Sequence, residues 1–152
     1  MQEIDLPSGL VALVDDADYA FVGQWKWCIQ GGYVGRSVNG RTVYMHRVLM
    51  NPPNGMYVDH INRNKLDNRR QNLRLCQKWQ NAVNATKRYG SVKQQRYRGV
   101  MQVKGGRWRA HLTHNKTSLH LGVFDSAEDA ALAYNEAAKL HHGEFAQLNT
   151  ID

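Results

Sequence analysis

Residues 58–81 constrain the fold of this chain more than any other stretch, because two short apolar runs there are separated by a polar loop and followed by a helical pattern. Asp59 and His60 are adjacent, Asn72 follows twelve positions after the histidine, and Asn81 follows nine further on. The pattern predicts strand, strand and helix around these four polar residues. The predicted bounds are 56–60 and 73–76 for the strands, 62–68 for the loop and 78–86 for the helix.

The four polar side chains have the chemistry that phosphodiester hydrolysis needs. A neutral imidazole deprotonates water near neutral pH, so His60 is the candidate general base. A hard divalent cation binds carboxylate and amide oxygens and stabilises negative charge on a phosphate, so Asp59 and Asn81 are the candidate ligands. Asn72 is the candidate to orient the imidazole. Successive strand residues point to opposite faces, so we expect the strand to end between Asp59 and His60.

Three assignments in this region have alternatives. Asn84 lies one helical turn beyond Asn81 on the same predicted face and is a second candidate ligand, although we favour Asn81. His46 falls in a predicted strand and is expected to pack or to orient rather than to bind metal. Nearby arginines are candidate phosphate clamps, and a merely solvated basic surface is the alternative for at least half of them. These arginines are Arg63, Arg69, Arg70 and Arg74.

The positive charge of the chain is concentrated in its middle. Residues 36–118 carry eighteen Lys or Arg and only two acids, while residues 1–35 carry five acids and one Lys. Lys and Arg that neutralise phosphates release condensed counterions, so such a density favours a polyanionic partner. Six aromatic side chains are interleaved with the basic residues, as is typical of nucleic-acid binding: Tyr44, Tyr57, Trp79, Tyr89, Tyr97 and Trp108.

Cysteine content and hydropathy argue against a structural zinc site, a membrane span and a signal peptide. Cys28 and Cys76 belong to no CxxC pair and no Cys/His cluster with zinc spacing, so a structural zinc is not expected. No segment approaches the ~18 apolar residues of a membrane span, and the N-terminus lacks a signal-peptide pattern. We therefore expect a soluble protein of the cytosol.

The first third of the chain predicts short strands. An acidic turn, 15–18, follows an apolar run at 10–14. Asn39-Gly40 tolerates the positive φ of a tight turn, so 33–38 and 41–46 predict a hairpin. Residues 51–55, with two prolines, must break regular structure.

A second module is predicted after a polar, basic linker. Residues 96–103, 108–113 and 117–124 predict three strands, and a helix capped by Ser126 with Asp129 is expected to end before Gly143. Small residues along one helical stripe are expected to pack on the sheet. The predicted stripe is Ala130, Ala133, Tyr134, Ala137 and Leu140.

Residues 44–88 resemble the HNH endonucleases that carry a ββα-metal site, particularly their phage and homing branch. The resemblance lies in YMHRVLM, YVDHINRNKLDNRRQNLRLC and QNAVNA, although Gln77 stands where the family often has Thr. It implies that Asp59 and Asn81 bind one Mg²⁺ or Mn²⁺, that His60 is the general base and that Asn72 orients it.

Residues 96–150 resemble the plant apetala/ethylene-response-factor DNA-binding domain, through YRGV, GGRWRAHL and LGVFDSAEDAALAYNEAAKLHHGEFAQLN. The resemblance implies a three-stranded sheet laid in the DNA major groove. Met101, Val103, Gly105 and His120 depart from the family's usual Arg and Trp, so base specificity is not carried over. The candidate DNA contacts are Arg96, Arg98, Arg107, Arg109, His111, Thr113 and His120, with Ser118 beside them.

Together these features predict an α+β chain with a nuclease domain at 1–88, a linker at 89–95 and a DNA-binding domain at 96–152. The predicted function is a metal-dependent, site-specific DNA endonuclease acting on double-stranded DNA as a monomer or weak dimer. The alternative is a non-catalytic DNA-binding regulator or decayed mobile-element protein. RNA binding is less well supported, because the sheet lacks an exposed aromatic signature for stacking bases.

Overall fold

The computed structural model describes residues 1–84 and 96–151, which form two compact units, 1–81 and 82–152. Both units mix helices with small antiparallel sheets, so the α+β prediction is confirmed. The predicted linker, 89–95, and the last two residues of the predicted helix 78–86 lie outside the described residues. None of the described helices combines the length and the apolar character that a membrane crossing requires.

The first unit contains three small sheets, in which β1 pairs with β2, β3 with β4 and β5, and β6 with β7. Its core is formed by Trp27, Val34, Met45, Leu49 and Val58 together with five other buried apolar side chains. The elements are β1 (Gln2–Asp5), β2 (Val11–Val14), α1 (Asp16–Gly23), β3 (Cys28–Gln30), β4 (Tyr33–Val38), β5 (Arg41–Tyr44), α2 (Met45–Met50), β6 (Tyr57–His60), a 3₁₀ turn (Arg70–Asn72), β7 (Leu73–Cys76) and α3 (Lys78–Asn84).

The hairpin β4–β5 confirms the turn predicted from Asn39-Gly40, whose φ angles are 49° and 74°. The predicted second strand was two residues too long, however, because α2 begins at Met45. Met45 and Leu49 are both buried one helical turn apart, and this packing determines the local structure. His46 consequently lies in the first turn of a helix rather than in a strand.

The acidic segment predicted as a turn is the start of α1. Asp16 and Asp18 occupy its first turn, where carboxylates interact favourably with the helix dipole. The preceding strand β2 also holds the loop after β6, because the Leu13 N–H donates to the Leu66 carbonyl and the Asn68 N–H donates to the Leu13 carbonyl, both at 2.8 Å. The N-terminal segment is therefore part of the structure that positions the loop after His60.

The second unit is a sheet in the order β10-β9-β8 covered by one helix, α4. The predicted Ser126 cap is confirmed, since the Asp129 N–H donates to Ser126 Oγ at 3.0 Å. The predicted stripe was partly wrong: Ala131 and Ala138 are buried, whereas Leu140 is 80% exposed. The elements are β8 (Val100–Gln102), β9 (Trp108–His114), β10 (Thr117–Phe124), α4 (Ala127–His142) and a 3₁₀ turn (Gly143–Phe145).

Candidate functional site

The hairpin β6–β7 carries the adjacent Asp59 and His60. In the ladder, Asp59 lies opposite Arg74 and His60 lies opposite Leu73, so the strand does not end between them. The expectation that it would was wrong, because both residues pair with β7. Their side chains consequently project to opposite faces of the hairpin.

On one face, His60 is enclosed by aromatic rings and is only 4% exposed. Its ring centroid is 5.1 Å from that of His46 and 6.0 Å from that of Tyr33. Burial lowers the pKa of His60, and the hydrogen bond to Asn68 and the charges of nearby aspartates only partly oppose this. A lowered pKa keeps the imidazole neutral at neutral pH, which is the form a general base needs.

Asn68 fixes the tautomer of that imidazole. Its Nδ2 donates to the carbonyls of Lys65 and Leu66 at 3.5 and 3.2 Å, so its Oδ1 faces His60 Nε2 at 3.4 Å. An amide oxygen only accepts, so the proton lies on Nε2 and Nδ1 is the basic nitrogen. Asn68 was not among the predicted site residues, because nothing in the sequence distinguishes it from Asn62 and Asn64 in the same polar loop.

His46 forms a wall of this face. Its ring stacks on that of Tyr44 with centroids 5.5 Å apart. Burial, and then the charges of His60 and Arg47, lower the pKa of His46 to about 3. His46 is therefore a neutral packing residue at neutral pH, which agrees with the role expected for it.

On the other face, Asp59 forms an ion pair with Arg74. Arg74 Nη2 and Nε lie 2.9 and 3.0 Å from Asp59 Oδ2, and both side chains are largely buried. Burial raises the pKa of the nearby Cys76 thiol to about 11, the Asp59 charge adds to this increase, and the Arg74 charge and the nearby Asn81 backbone N–H oppose it. Cys76 thus has both Asp59 and the backbone of Asn81 as neighbours.

The two candidate amide ligands on α3 differ in their surroundings. Asn81 is partly exposed and its N–H donates to the Gln77 carbonyl. Asn84 is buried, its carbonyl accepts from Gln147 Nε2, and its Oδ1 lies 3.4 Å from the same nitrogen. Asn84 belongs to the second unit, where its side chain contacts Gln147, and this favours Asn81 as the ligand.

Asn72 holds the loop rather than the imidazole itself. Its Nδ2 donates to the Asp67 carbonyl at 2.8 Å and its Oδ1 accepts from the Asn62 N–H at 2.9 Å. Its own carbonyl accepts from the Ile61 N–H, next to His60. The side chain within hydrogen-bond distance of the ring, where Asn72 was expected, is Asn68.

Three of the four candidate phosphate clamps in this unit are committed to intramolecular ion pairs. Arg69 binds Asp67 through two contacts of 2.7 Å, and Arg70 binds Asp18 at 2.7 and 2.8 Å. Arg74 binds Asp59, as described above. Only Arg63, an exposed residue with φ of 64°, makes no ion pair or side-chain hydrogen bond within the described residues. The sequence charge overstates the free positive charge here, because each of these three arginines is neutralised by an aspartate of the same unit.

In the second unit, the side chains of β9 alternate between the face packed on α4 and the outer face, as the sequence predicts. Ala110 and Leu112 are buried under α4, whereas Arg109 and Thr113 are exposed. The register pairs His111 with His120 and Thr113 with Ser118, so the candidate contacts of β9 and β10 share the outer face.

The arginines of the second unit differ in whether their side chains already bind another residue of the chain. Arg98 Nη1 donates to the Val83 carbonyl at 3.1 Å, and Arg107 Nε lies 3.0 Å from Asp125 Oδ1. Arg96 is 3.7 Å from Glu128. Arg109 makes no ion pair or side-chain hydrogen bond with any described residue. Arg109 is thus the cation of the outer face that remains available to a ligand.

The donor types that Asp59 and Asn81 offer, one carboxylate and one amide oxygen, fit a hard divalent cation. A carboxylate and an amide oxygen are the ligand types that Mg²⁺ and Mn²⁺ prefer. The buried Asp59 carboxylate is already balanced by a cationic group, the Arg74 guanidinium. Across residues 1–84 and 96–151, no three His, Cys, Asp or Glu side chains gather as a metal cluster, so any cation here relies on a carboxylate, an amide and water.

Comparisons with known proteins match both units. A family model described as HNH endonuclease matches residues 43–83. The uncharacterized HNH endonuclease L560 of Acanthamoeba polyphaga mimivirus is 32% identical over 150 residues, which cover 95% of this chain and 77% of the viral protein.

The C-terminal region is similar to plant proteins of the apetala/ethylene-response-factor type. Protein PPLZ02 of Lupinus polyphyllus is 50% identical over 58 residues, which are 37% of this chain and 35% of that protein. Dehydration-responsive element-binding protein 2C of Arabidopsis thaliana is 47% identical over 55 residues, which are 35% of this chain and 16% of that protein.

Proposed function

This chain belongs to the HNH endonuclease family, and from that premise we propose that it is a metal-dependent, site-specific endonuclease that hydrolyses phosphodiester bonds of double-stranded DNA. The observation that carries the proposal is the hairpin β6–β7, which presents a buried, neutral His60 on one face and Asp59 on the other. The likeness to the phage and homing branch supports site-specific cutting in a bacterial or phage-infected cytosol.

A displacement at phosphorus has the attacking water and the leaving oxygen on opposite sides of the phosphate, so it needs a base for the water and a cation for the leaving oxygen. Nδ1 of His60 accepts the proton of the attacking water, while Asn68 holds the ring through Nε2. Asp59 and Asn81 would hold one Mg²⁺ or Mn²⁺. When bound, that ion stabilises the negative charge on the phosphate and the leaving oxygen.

Asn72 acts in this mechanism as a positioning residue. Its amide closes the loop between Asn62 and Asp67, and that loop carries Asn68 to the His60 ring. Removal of the Asn72 amide releases the loop, so its effect on the reaction passes through Asn68.

The metal assignment predicts different results for the two asparagines of α3. We expect Asn81→Ala to raise the Mg²⁺ concentration for half-maximal cleavage by about tenfold or more, because one ligand is lost. Asn84→Ala is the matched control and should leave that concentration unchanged while lowering the melting temperature, since Asn84 is buried against Gln147. A Mg²⁺ titration of the cleavage rate measures both. A shift confined to Asn84→Ala would reverse the assignment.

For the second unit, we propose that the outer face of the β8–β9–β10 sheet positions the enzyme on the major groove. Arg109 is its main contact, with His111, Thr113, Ser118 and His120 beside it. Arg96, Arg98 and Arg107 contribute to phosphate affinity only as far as their internal contacts allow. In this division, residues 1–88 cleave the DNA, residues 96–152 position the enzyme on it, and residues 89–95 link the two.

Arg109→Ala should therefore weaken binding to double-stranded DNA by about tenfold to a hundredfold, as loss of a base-contacting arginine does. Arg107→Ala is the matched control. Because Arg107 already pairs with Asp125, this variant should lose much less affinity for DNA. Fluorescence anisotropy with a catalytically inactive chain measures both. Equal losses in the two variants would mean that the sheet supplies only general phosphate affinity.

The experiment that tests the function is strand scission with and without a divalent cation. The alternative, a non-catalytic regulator, predicts binding of DNA but no cutting in Mg²⁺. Loss of affinity at high salt is expected under both, so it does not separate them. With one active site per chain, the proposal predicts nicks in one strand unless two chains assemble on the DNA.

A further inference from the structure

The loop between β6 and the 3₁₀ turn places one lysine beside His60. Lys65 Nζ lies 4.0 Å from the centroid of the Tyr33 ring, and that ring is 6.0 Å from the His60 ring. The Asn68 side chain contacts both Lys65 and His60, because its Nδ2 donates to the Lys65 carbonyl while its Oδ1 faces His60 Nε2. The same loop geometry that orients the imidazole therefore also positions the lysine.

The surroundings of Lys65 differ from those of the neighbouring arginines. Arg69, Arg70 and Arg74 are each paired with an aspartate, whereas Lys65 is exposed and forms no ion pair with any described carboxylate. The interaction of an exposed cation with a ring face is weak, so it costs Lys65 little free energy to bind an anion as well. Lys65 and Arg63 are thus the two cations of this loop without a carboxylate partner among the described residues, and Lys65 is the one held over the Tyr33 ring beside His60.

The turn between β3 and β4 leaves that ammonium accessible. A Cβ added at Gly32 would lie 3.6 Å from Lys65 Nζ, so a longer side chain there would cover it. Gly32 also has φ of 80°, which favours glycine at this position.

We propose that Lys65 is a catalytic residue that binds a non-bridging oxygen of the scissile phosphate on the His60 face. The inference rests on the proposed nuclease function. A fixed positive charge at this position would stabilise the charge that develops on the phosphate as the water attacks.

The test uses the full chain with Lys65→Met, which removes the charge and keeps a flexible apolar stem, and Lys65→Arg, which keeps the charge. Lys26→Met is the matched control, because Lys26 is another exposed lysine of the same unit. Two quantities are measured: the single-turnover cleavage rate in Mg²⁺, and the slope of log Kd for duplex DNA against log salt concentration in EDTA. Melting curves show that each variant folds.

We expect Lys65→Met to lower the cleavage rate by about 100-fold, as loss of one charge-stabilising donor does. Its salt slope should become shallower by about 0.9, the value for one phosphate contact. Lys65→Arg should retain most of the rate and the full slope, and Lys26→Met should match the wild type in both.

Each other outcome has a definite meaning. An unchanged slope in Lys65→Met overturns the proposal, and a rate loss would then report a structural role through Tyr33. A shallower slope with a wild-type rate also overturns it, because the phosphate bound would not be the scissile one. If the wild type cuts nothing, the nuclease function fails, while the slope of Lys65→Met against Lys26→Met still decides whether Lys65 contacts phosphate.

Discussion

His60→Ala should lower the single-turnover rate of DNA cleavage by roughly 10²–10⁴-fold, the usual contribution of a general base, with little change in DNA affinity. The reason is that His60 is buried in an aromatic cluster and held by Asn68, with its basic nitrogen set by that contact. Rates are measured with excess protein in Mg²⁺, and affinity is measured by anisotropy in EDTA.

His46→Phe is the matched control, since the two rings are 5.1 Å apart and the substitution keeps an aromatic ring against Tyr44. Its cleavage rate should fall by less than tenfold, because His46 only packs against the base. Parallel loss of cutting and of DNA binding in His60→Ala would instead mean that His60 supports the fold. Equal rate losses in the two variants would place the base elsewhere.

Gly99→Ala should destabilise the second unit by about 3 kcal/mol or more, because it combines overpacking with a strained backbone. Gly99 has φ of 69°, and a Cβ there would overlap the Tyr134 ring and the His111 carbonyl. Both neighbours are fixed, since Tyr134 is a buried residue of α4 and the His111 N–H donates to the Gly99 carbonyl at 2.8 Å. Chemical denaturation followed by circular dichroism measures the free energy of unfolding.

Gly105→Ala separates the two causes, because Gly105 has φ of 88° but a Cβ there would meet no atom within 4 Å. It should cost about 1 kcal/mol from backbone strain alone. Equal losses of stability in the two variants would contradict the close packing of α4 on β9. A large loss confined to Gly99→Ala would support it.

Much of the fold followed from local chemistry in the sequence. Asn39-Gly40 predicted the hairpin because few dipeptides accept two positive φ angles, and Ser126 with Asp129 predicted the start of α4 because the cap satisfies helix N–H groups. The strand–strand–helix order around Asp59 and His60 followed from short apolar runs separated by polar residues. These features depend on neighbours in the chain, so the sequence alone specified them.

The errors concern features that depend on tertiary contacts. The pairing of β6 with β7 decided that Asp59 and His60 lie on opposite faces, and no local pattern shows where a strand pair ends. Asn68 contacts His60 only because the loop folds back on β2. Likewise, Arg70 pairs with Asp18, a residue 52 positions away. The charge of a segment therefore overestimates what its arginines offer to DNA.

The most direct test of the account is to incubate a pool of supercoiled plasmids carrying random inserts with the wild type and with His60→Ala, in Mg²⁺ and in EDTA, at low salt. The random inserts supply a range of candidate recognition sequences. We expect conversion to open-circular or linear DNA only for the wild type in Mg²⁺. Binding of the plasmids by the wild type without any conversion in Mg²⁺, or equal conversion by His60→Ala, would contradict it.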